Sequence, residues 1–163
     1  MTKPPTAGLS HLDPDGNARM VDVSAKTPTL RSATASGVIS MRAETLAAIQ
    51  SHSLKKGDVI SVARIAGVMA AKKTPDLVPL CHPLPLDDVQ VDLVADEGLP
   101  GLRCTATVRT TGRTGVEMEA LVAVTIALVT VYDMAKAVDR EMVIGPVSVL
   151  MKTGGASGDW SSG

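Results

Sequence analysis

The sequence predicts a single α+β domain. Val89–Val94 and Arg103–Thr111 alternate apolar and polar residues and are separated by a glycine- and proline-containing turn, which predicts a β-hairpin. The uncharged run from Ala120 to Tyr132 lies in an unbroken segment of about 25 residues, a length that fits a helix and not a strand. Between Asp58 and Lys73, apolar residues recur at helical spacing.

The elements before the hairpin are a strand and two helices. Ala35–Met41 is a plausible strand, and Ala43–Gln50 suits a short helix. Asp58 begins the second helix, because its carboxylate can accept the free backbone N–H groups of a helix N-terminus. That helix extends to about Lys73, where Thr74 and Pro75 end it.

The remaining elements complete the fold pattern. Three prolines in the segment 76–86 predict a stiff loop before the hairpin. The long helix runs from Val116 to about Arg140, and a last strand covers Glu141–Leu150. The order is βαββαβ with one extra helix, so the sequence predicts a ferredoxin-like sandwich, an antiparallel sheet with helices on one face.

The domain limits follow from changes in composition. Residues 1–19 are expected to form a mobile N-terminal arm, residues 20–152 the single domain, and residues 153–163 a tail rich in glycine and serine. At the start of the domain, Met20–Ser24 could add an edge strand or cross to a neighbouring subunit.

Composition excludes several classes of protein. The chain has 163 residues, of which 45% are hydrophobic and 1% aromatic, with a net charge of −1. This apolar fraction excludes a mostly disordered chain. The lack of aromatic rings argues against base stacking, and the balanced charge argues against a broad DNA-binding surface. A core of small aliphatic residues favours an oligomer that buries apolar helix faces between subunits.

Cellular location is also predicted. The two cysteines form no C-x-x-C pair and are expected to be reduced in a cytoplasmic protein. No apolar segment follows the N-terminus as in a signal peptide, and the longest apolar helix is expected to be buried instead of spanning a bilayer. We therefore expect neither a membrane nor a nucleic acid as a partner.

Four segments could carry chemistry. Cys81-His82 could bind a metal ion. His82 could instead be a partly buried histidine with its hydrogen bonds satisfied, or a side chain positioned for acid–base catalysis or for contact with a phosphate. Glu117 and Glu119 follow two glycines at a strand-to-helix junction and should point to opposite sides of the helix. Asp133 and Lys136 lie on one face of the helix. They could form a surface ion pair, or an acid–base pair whose pKa values are shifted by partial burial.

The fourth segment is the C-terminal one, where Lys152 precedes a glycine-rich stretch. Thr153–Gly158 could form a phosphate-binding nest or a flexible tail. Each of the other lysine and arginine side chains, considered alone, is expected to be solvated.

Seven motifs occur in the same order as in one family. The chain resembles the cyclic pyranopterin monophosphate synthases, the molybdenum cofactor biosynthesis protein C family, over about residues 10 to 160. Each motif is modest alone, and the ordered set is highly specific. The motifs are Met20–Ser24, Lys56–Val59, Ala63–Gly67, Leu80–Leu84, Thr114–Leu121, Tyr132–Met134 with Lys136–Val138, and Met142–Pro146.

The resemblance implies a lyase of molybdenum cofactor biosynthesis. Members convert (8S)-3′,8-cyclo-7,8-dihydroguanosine 5′-triphosphate into cyclic pyranopterin monophosphate and release pyrophosphate. They share a ferredoxin-like fold and assemble as hexamers, trimers of dimers, with sites at subunit interfaces. No resident metal or cofactor is implied, although Mg²⁺ could accompany the substrate triphosphate.

The resemblance also implies roles for individual residues. Asp133 matches the catalytic acid–base residue, with Lys136 beside it, and Lys56 and Lys152 match active-site lysines. The residues that match substrate-binding segments or the arm arginine are Leu80, Cys81, His82, Met118, Glu119, Glu117 and Arg31. Arg64 and Lys72 are also expected to bind substrate, because a triphosphate needs cations. Ala156 stands where some members have a basic residue. Among the matched motifs Tyr132 is the sole aromatic, so we expect the guanine-derived ring to be held by Glu119 and apolar contacts, without stacking.

A hypothesis from another class remains open. The chain could be a non-catalytic ferredoxin-like oligomer that binds a phosphorylated effector. Such a protein would keep the cations but would not need the pair formed by Asp133 and Lys136.

Overall fold

One antiparallel sheet organises the chain. The computed structural model describes residues 15–155 and 158–162. The strands are β1 (Thr29–Ser40), β2 (Asp88–Asp96), β3 (Gly101–Gly112), β4 (Val143–Thr153) and β5 (Trp160–Ser161). The helices are α1 (Ala43–Gln50), α2 (Val59–Lys72), α3 (Thr74–Leu77) and α4 (Glu117–Ala135).

The strand order confirms the predicted fold class. The sheet runs β2-β3-β1-β4-β5 with every pair antiparallel, so the first four strands have the ferredoxin-like arrangement. The helix α1 has the predicted limits, and the Asp58 carboxylate caps α2 by accepting from the Ser61 backbone N–H at 3.0 Å. The hairpin of β2 and β3 is also confirmed.

Four predicted boundaries are wrong. The predicted last strand, β4, spans Val143–Thr153, not Glu141–Leu150, because its C-terminal residues pair with β1 and β5. β1 begins at Thr29 because its polar first half pairs with the end of β3, which local alternation does not reveal. The long helix ends at Ala135, not near Arg140, where Val138 and Asp139 both donate backbone N–H groups to the Ala135 carbonyl. The predicted stiff loop begins later, because the short helix α3 includes Pro75 in its first turn.

Both ends of the chain also differ from expectation. Residues 20–23 have no strand conformation within the described chain, and Ser24 begins a turn. At the other end, Trp160 and Ser161 form β5 by pairing with Lys152 and Met151, so this part of the predicted tail joins the sheet. Residues 1–14 of the predicted arm lie outside the described residues, and the domain limits stay a prediction.

The helix α4 packs closely on the rest of the fold. A side chain on Gly37 of β1 would place Cβ 2.9 Å from Val124 Cγ1 and 3.0 Å from Leu128 Cδ1. A Cβ on Gly67 of α2 would lie 3.0 Å from the Ala123 carbonyl oxygen. Glycine at these two positions therefore lets α4 approach both β1 and α2.

The length and apolarity of α4 would also permit a membrane span. Half of its most apolar window is buried inside the fold, which is typical of a core helix. Its threonines fit the helix because Thr125 and Thr130 each donate a hydroxyl to the carbonyl four residues earlier, both at 2.8 Å.

A buried carboxylate joins the end of α4 to the start of α1. Asp139 is 2% exposed and accepts from the Arg42 backbone N–H at 2.9 Å and from the Thr45 hydroxyl at 3.1 Å. It also accepts from the Glu141 backbone N–H at 3.1 Å. Asp139 thus caps α1 from a distant part of the chain, and the hydrogen bond from the Arg42 backbone N–H is the main cause that lowers its pKa.

We predict that Asp139→Ala lowers the free energy of unfolding at pH 7 by about 1–3 kcal/mol, because several donors lose their partner. The folded-state pKa of Asp139 lies below its unfolded value, so its contribution is present above the unfolded pKa. That contribution is lost as the pH falls through the folded-state pKa. Urea titrations from pH 7 to pH 3 measure both effects.

The matched control is Asp92→Asn, which removes an exposed ion pair with Arg64 and should change stability by less than about 1 kcal/mol. Equal losses in the two variants, or a loss for Asp139→Ala that does not depend on pH, would contradict the prediction.

Candidate active site

Two lysines hold the Asp133 carboxylate at the C-terminal end of α4. Lys136 Nζ lies 2.7 Å from Oδ1, and Lys56 Nζ lies 2.8 Å from Oδ2. Lys56 comes from the loop between α1 and α2 and also donates to the Asp133 backbone carbonyl at 2.8 Å. The structure therefore brings together three of the four residues expected to be catalytic.

The hydrogen bonds at Asp133 decide its charge. A hydrogen bond from the Lys136 ammonium, which has the largest effect, and a second one from Lys56 lower the pKa of Asp133 to about 2. The same hydrogen bond with Asp133 raises the pKa of Lys136. The Asp133 side chain is 55% exposed, so the expectation that partial burial tunes this pair is wrong for the single chain without substrate. At neutral pH the site holds a carboxylate between two ammonium groups.

An open cavity of about 400 Å³ lies beside this cluster. Its lining combines the charged cluster with the first residues after α4. The residues are Lys56, Tyr132, Asp133, Lys136, Ala137 and Arg140. Its size and its cations suit part of a phosphorylated ligand.

A second, larger cavity of about 610 Å³ lies at the N-terminal end of α4. Lys152 Nζ lies 3.8 Å from Glu117 Oε1 there, and Arg31 donates from Nε to the Gly112 carbonyl at 2.9 Å. Four cations and one carboxylate contribute to the lining. These are Lys26, Arg31, Arg113, Lys152 and Glu117. An excess of cations beside a helix N-terminus suits an anion such as a polyphosphate.

Glycines shape this cavity. Gly154 and Gly155 both have positive φ, and a Cβ at Gly155 would overlap the Arg31 guanidinium. The Gly154 N–H donates to Asp159 Oδ1 at 2.9 Å, so this part of the expected nest is satisfied within the chain. Ala156, which stands where some family members have a basic residue, lies outside the described residues.

Cys81 and His82 are directed at different partners. The Cys81 thiol donates to Glu119 Oε1 at 3.5 Å, and the His82 Nε2 lies 2.7 Å from the Val21 carbonyl, which requires an Nε2–H donor. Burial, followed by the nearby Glu119 charge, raises the pKa of Cys81 to about 11. Metal binding needs the thiolate form of cysteine, which the raised pKa of Cys81 disfavours. Within the described residues, no three His, Cys, Asp or Glu side chains form a group that could hold a metal.

Glu119 is a buried carboxylate with an unfilled acceptor. The residue is 1% exposed, and its Oε2 has no hydrogen-bond partner among the described residues. Burial raises its pKa. Glu117 instead faces the larger cavity, so the prediction that the two glutamates point to different sides is confirmed.

The remaining expected substrate-binding residues are spread over the surface. Arg64 binds Asp92 at 3.0 Å and the Val91 carbonyl at 3.0 Å on β2, away from both cavities described here. Lys72 is exposed in the last turn of α2. Leu80 is half-buried beside Cys81, and Met118 is 39% exposed. The described chain does not gather these residues into one pocket.

The sequence interpretation omitted some cavity residues from the site. Lys26 and Arg113 line the larger cavity and Arg140 lines the smaller one, and none of the three was predicted to be a site residue. Tyr132, which also lines the smaller cavity, was predicted only to be the sole aromatic residue of the matched motifs. Lys26 follows the Met20–Ser24 motif by two residues, and that proximity was the available signal. No sequence signal indicated a role for Arg140, because this residue was expected to lie at the end of the long helix.

The two cavities occupy opposite ends of α4. Glu117 and Asp133 are separated by roughly 24 Å along the axis, given the rise per residue of an α-helix. Within one chain, the cluster at Asp133 and the cluster at Lys152 therefore cannot both touch the reacting centre of one small molecule.

Comparison with known proteins agrees with the motif set. The model of the MoaC family matches residues 20–155. Proteins from Brucella ovis, Brucella melitensis biotype 2 and Brucella abortus are each 57% identical over 153 residues, covering 94% of this chain and 93% of theirs. Each of these relatives is named cyclic pyranopterin monophosphate synthase. Since the family model spans most of the domain and the relatives cover nearly the whole chain, this protein belongs to the MoaC family.

Proposed function

We propose that this chain is a cyclic pyranopterin monophosphate synthase, a lyase of molybdenum cofactor biosynthesis. Its substrate is (8S)-3′,8-cyclo-7,8-dihydroguanosine 5′-triphosphate, and its products are cyclic pyranopterin monophosphate and pyrophosphate. The observation that carries the proposal is the Asp133 carboxylate held by Lys56 and Lys136 at the edge of a cavity. The sequence identity to relatives of that name supports the choice of substrate.

The cluster can move protons in both directions. The ionised Asp133 can accept a proton, and protonated Lys136 and Lys56 can donate one. Ring opening and re-closure need both operations.

The second half of the reaction is a displacement at phosphorus. A sugar hydroxyl attacks the α-phosphate, its proton passes to a base, and pyrophosphate leaves as the new P–O bond forms. The cations at the larger cavity, Arg31 and Lys152 among them, are suited to bind the departing phosphates. The unfilled Oε2 of Glu119 is suited to accept N–H donors of the guanine-derived ring.

A complete site on this proposal requires two copies of the chain. The clusters at Asp133 and Lys152 lie too far apart to act together within one chain, and a neighbouring subunit can supply the missing half. A two-fold interface would create two such sites for each dimer. We propose a hexamer, a trimer of dimers, in the cytoplasm, with no resident cofactor and with any Mg²⁺ entering as part of the substrate.

Asp133→Asn and Lys136→Ala are expected to lower product formation by about 10²-fold or more while the fold is retained, because a positioned acid or base contributes about that factor. The assay incubates each variant with the cyclic dihydro-GTP substrate and measures pyrophosphate. Circular dichroism and thermal unfolding report on folding.

Asp76→Asn is the matched control, since Asp76 forms an exposed pair with Lys73 at the same three-residue spacing. Wild-type turnover by Asp133→Asn would refute the mechanism. Failure of the unaltered protein to release pyrophosphate would favour the non-catalytic effector-binding oligomer.

A mixture of Asp133→Asn and Lys152→Ala chains is expected to recover activity that neither variant has alone. In a mixed two-fold dimer, one site contains both substitutions and the other contains neither. Random pairing makes about half of the dimers mixed, so the mixture should reach about one quarter of wild-type activity. The test measures pyrophosphate release after the two variants are co-refolded.

The double variant carrying both substitutions in one chain, mixed with the Asp133→Asn chain, should recover nothing. Absence of recovery in the first mixture would place each site within a single subunit.

Glu119→Gln is expected to weaken substrate binding and to stabilise the fold at neutral pH by about 1–3 kcal/mol, because a buried carboxylate lacks a partner for one oxygen. The folded-state pKa of Glu119 is raised, so the stability of the unaltered protein falls as the pH rises from the unfolded pKa through the folded pKa. Urea titrations from pH 4 to pH 8 should show the advantage of Glu119→Gln growing with pH.

Glu117→Gln serves as the control on the same helix, because Glu117 is partly exposed beside Lys152. A Glu119→Gln variant that is less stable than the unaltered protein across this pH range would contradict the buried-charge explanation.

A further inference from the structure

The cavity at Asp133 contains three cations, of which two are already engaged. Lys56 and Lys136 both contact the Asp133 carboxylate at hydrogen-bonding distance. Arg140 is the third cation in the lining. With Asp133 included, the cavity has a formal charge of +2 and attracts an anion.

The Arg140 guanidinium keeps its donors available. Among residues 15–155 and 158–162, the structure gives this side chain no hydrogen bond or ion pair, even though Glu141 is its neighbour in sequence. A guanidinium carries five N–H donors in a planar fork that matches two oxygens of a phosphate. Arg140 can therefore bind a phosphate without breaking the contacts of Asp133.

The backbone at Arg140 is held in place from two sides. The Tyr132 hydroxyl, which also belongs to the cavity, donates to the Arg140 carbonyl at 3.1 Å. On the preceding residue, the buried Asp139 carboxylate binds the start of α1, and its Oδ1 accepts from the Glu141 N–H. Arg42 also donates to the Val138 carbonyl. These contacts hold the backbone from which the Arg140 side chain extends, and that side chain belongs to the cavity lining.

We propose, on the basis of the proposed function, that Arg140 is a substrate-binding residue that holds a phosphate of the nucleotide in the Asp133 cavity. Its role is to bind the negative charge that would otherwise draw Lys56 and Lys136 away from Asp133. The acid–base cluster then stays assembled when the anionic substrate enters.

The first test compares the steady-state kinetics of pyrophosphate release in Arg140→Met and Arg140→Lys. Arg140→Met should raise KM by about tenfold or more with a smaller change in kcat, because a charge-assisted contact to the substrate is lost. Arg140→Lys should fall between Arg140→Met and the unaltered protein, since it keeps the charge but loses the planar fork.

The second test needs no turnover. The full-length protein is titrated with inorganic phosphate while the side-chain carboxyl resonance of Asp133 is followed by NMR. We expect a saturable shift in the unaltered protein, with at least about a tenfold higher midpoint in Arg140→Met. If the unaltered protein releases no pyrophosphate, the proposed function fails and this titration alone decides the role of Arg140.

Arg103→Met is the matched control, because Arg103 is a half-exposed arginine that binds Asp96 at 2.9 Å on the β2–β3 hairpin. It should leave KM and the phosphate midpoint unchanged. The proposal is overturned if Arg140→Met keeps the KM and the midpoint of the unaltered protein, or if phosphate does not shift the Asp133 resonance. It is also overturned if sedimentation shows that Arg140→Met changes only the assembly state.

Discussion

The close approach of α4 to β1 and α2 is the constraint on which the other features depend. A chain with 1% aromatic residues fills its core with small aliphatic side chains, and such a core is dense only when backbones come near one another. Gly37 and Gly67 permit that approach on two sides of α4. Ala123 and Ala127 have the same effect on the helix itself, where both are fully buried.

This packing determines where the functional groups lie. Because α4 packs against β1 and α2 along its length, the positions of both its ends are fixed. Its N-terminal end places Glu117 and Glu119 near β1 and the segment 80–82, and its C-terminal end places Asp133 near the loop before α2. Lys56 bonds the last turn of α4 through both a backbone and a side-chain oxygen. A displacement of α4 would therefore disturb both cavities together.

The same helix carries two carboxyl groups whose pKa values are shifted in opposite directions. Asp133 is half exposed and bonded by two ammonium groups, which lower its pKa to about 2, whereas burial raises the pKa of Glu119. Asp133 lies beside an open cavity, and the buried Glu119 keeps an unfilled acceptor oxygen. Opposite pKa shifts of two carboxyl groups by their environments are a recurring property of enzyme sites.

The sequence by itself determined the fold class, the limits of α1, the Asp58 cap and the residue types of the site, because these depend on local periodicity, capping chemistry and motif order. The family resemblance also predicted Asp133, Lys136 and Lys56 as catalytic residues, and the structure brings these three side chains into contact. The start of β1 was not predictable, since its polar residues become a strand only by pairing with β3. Nor was the end of α4, which depends on a carboxylate at Asp139 that binds the distant start of α1.

Only the tertiary structure decided which site residues meet. Lys56 reaches Asp133 across a long stretch of sequence, whereas Arg64, chosen for its charge, is bound to β2 instead. The availability of Arg140 and the separation of the two cavities likewise have no local signature. Sequence patterns report the chemistry that a residue can perform, but its partners and its charge state are set by the neighbours that folding brings to it.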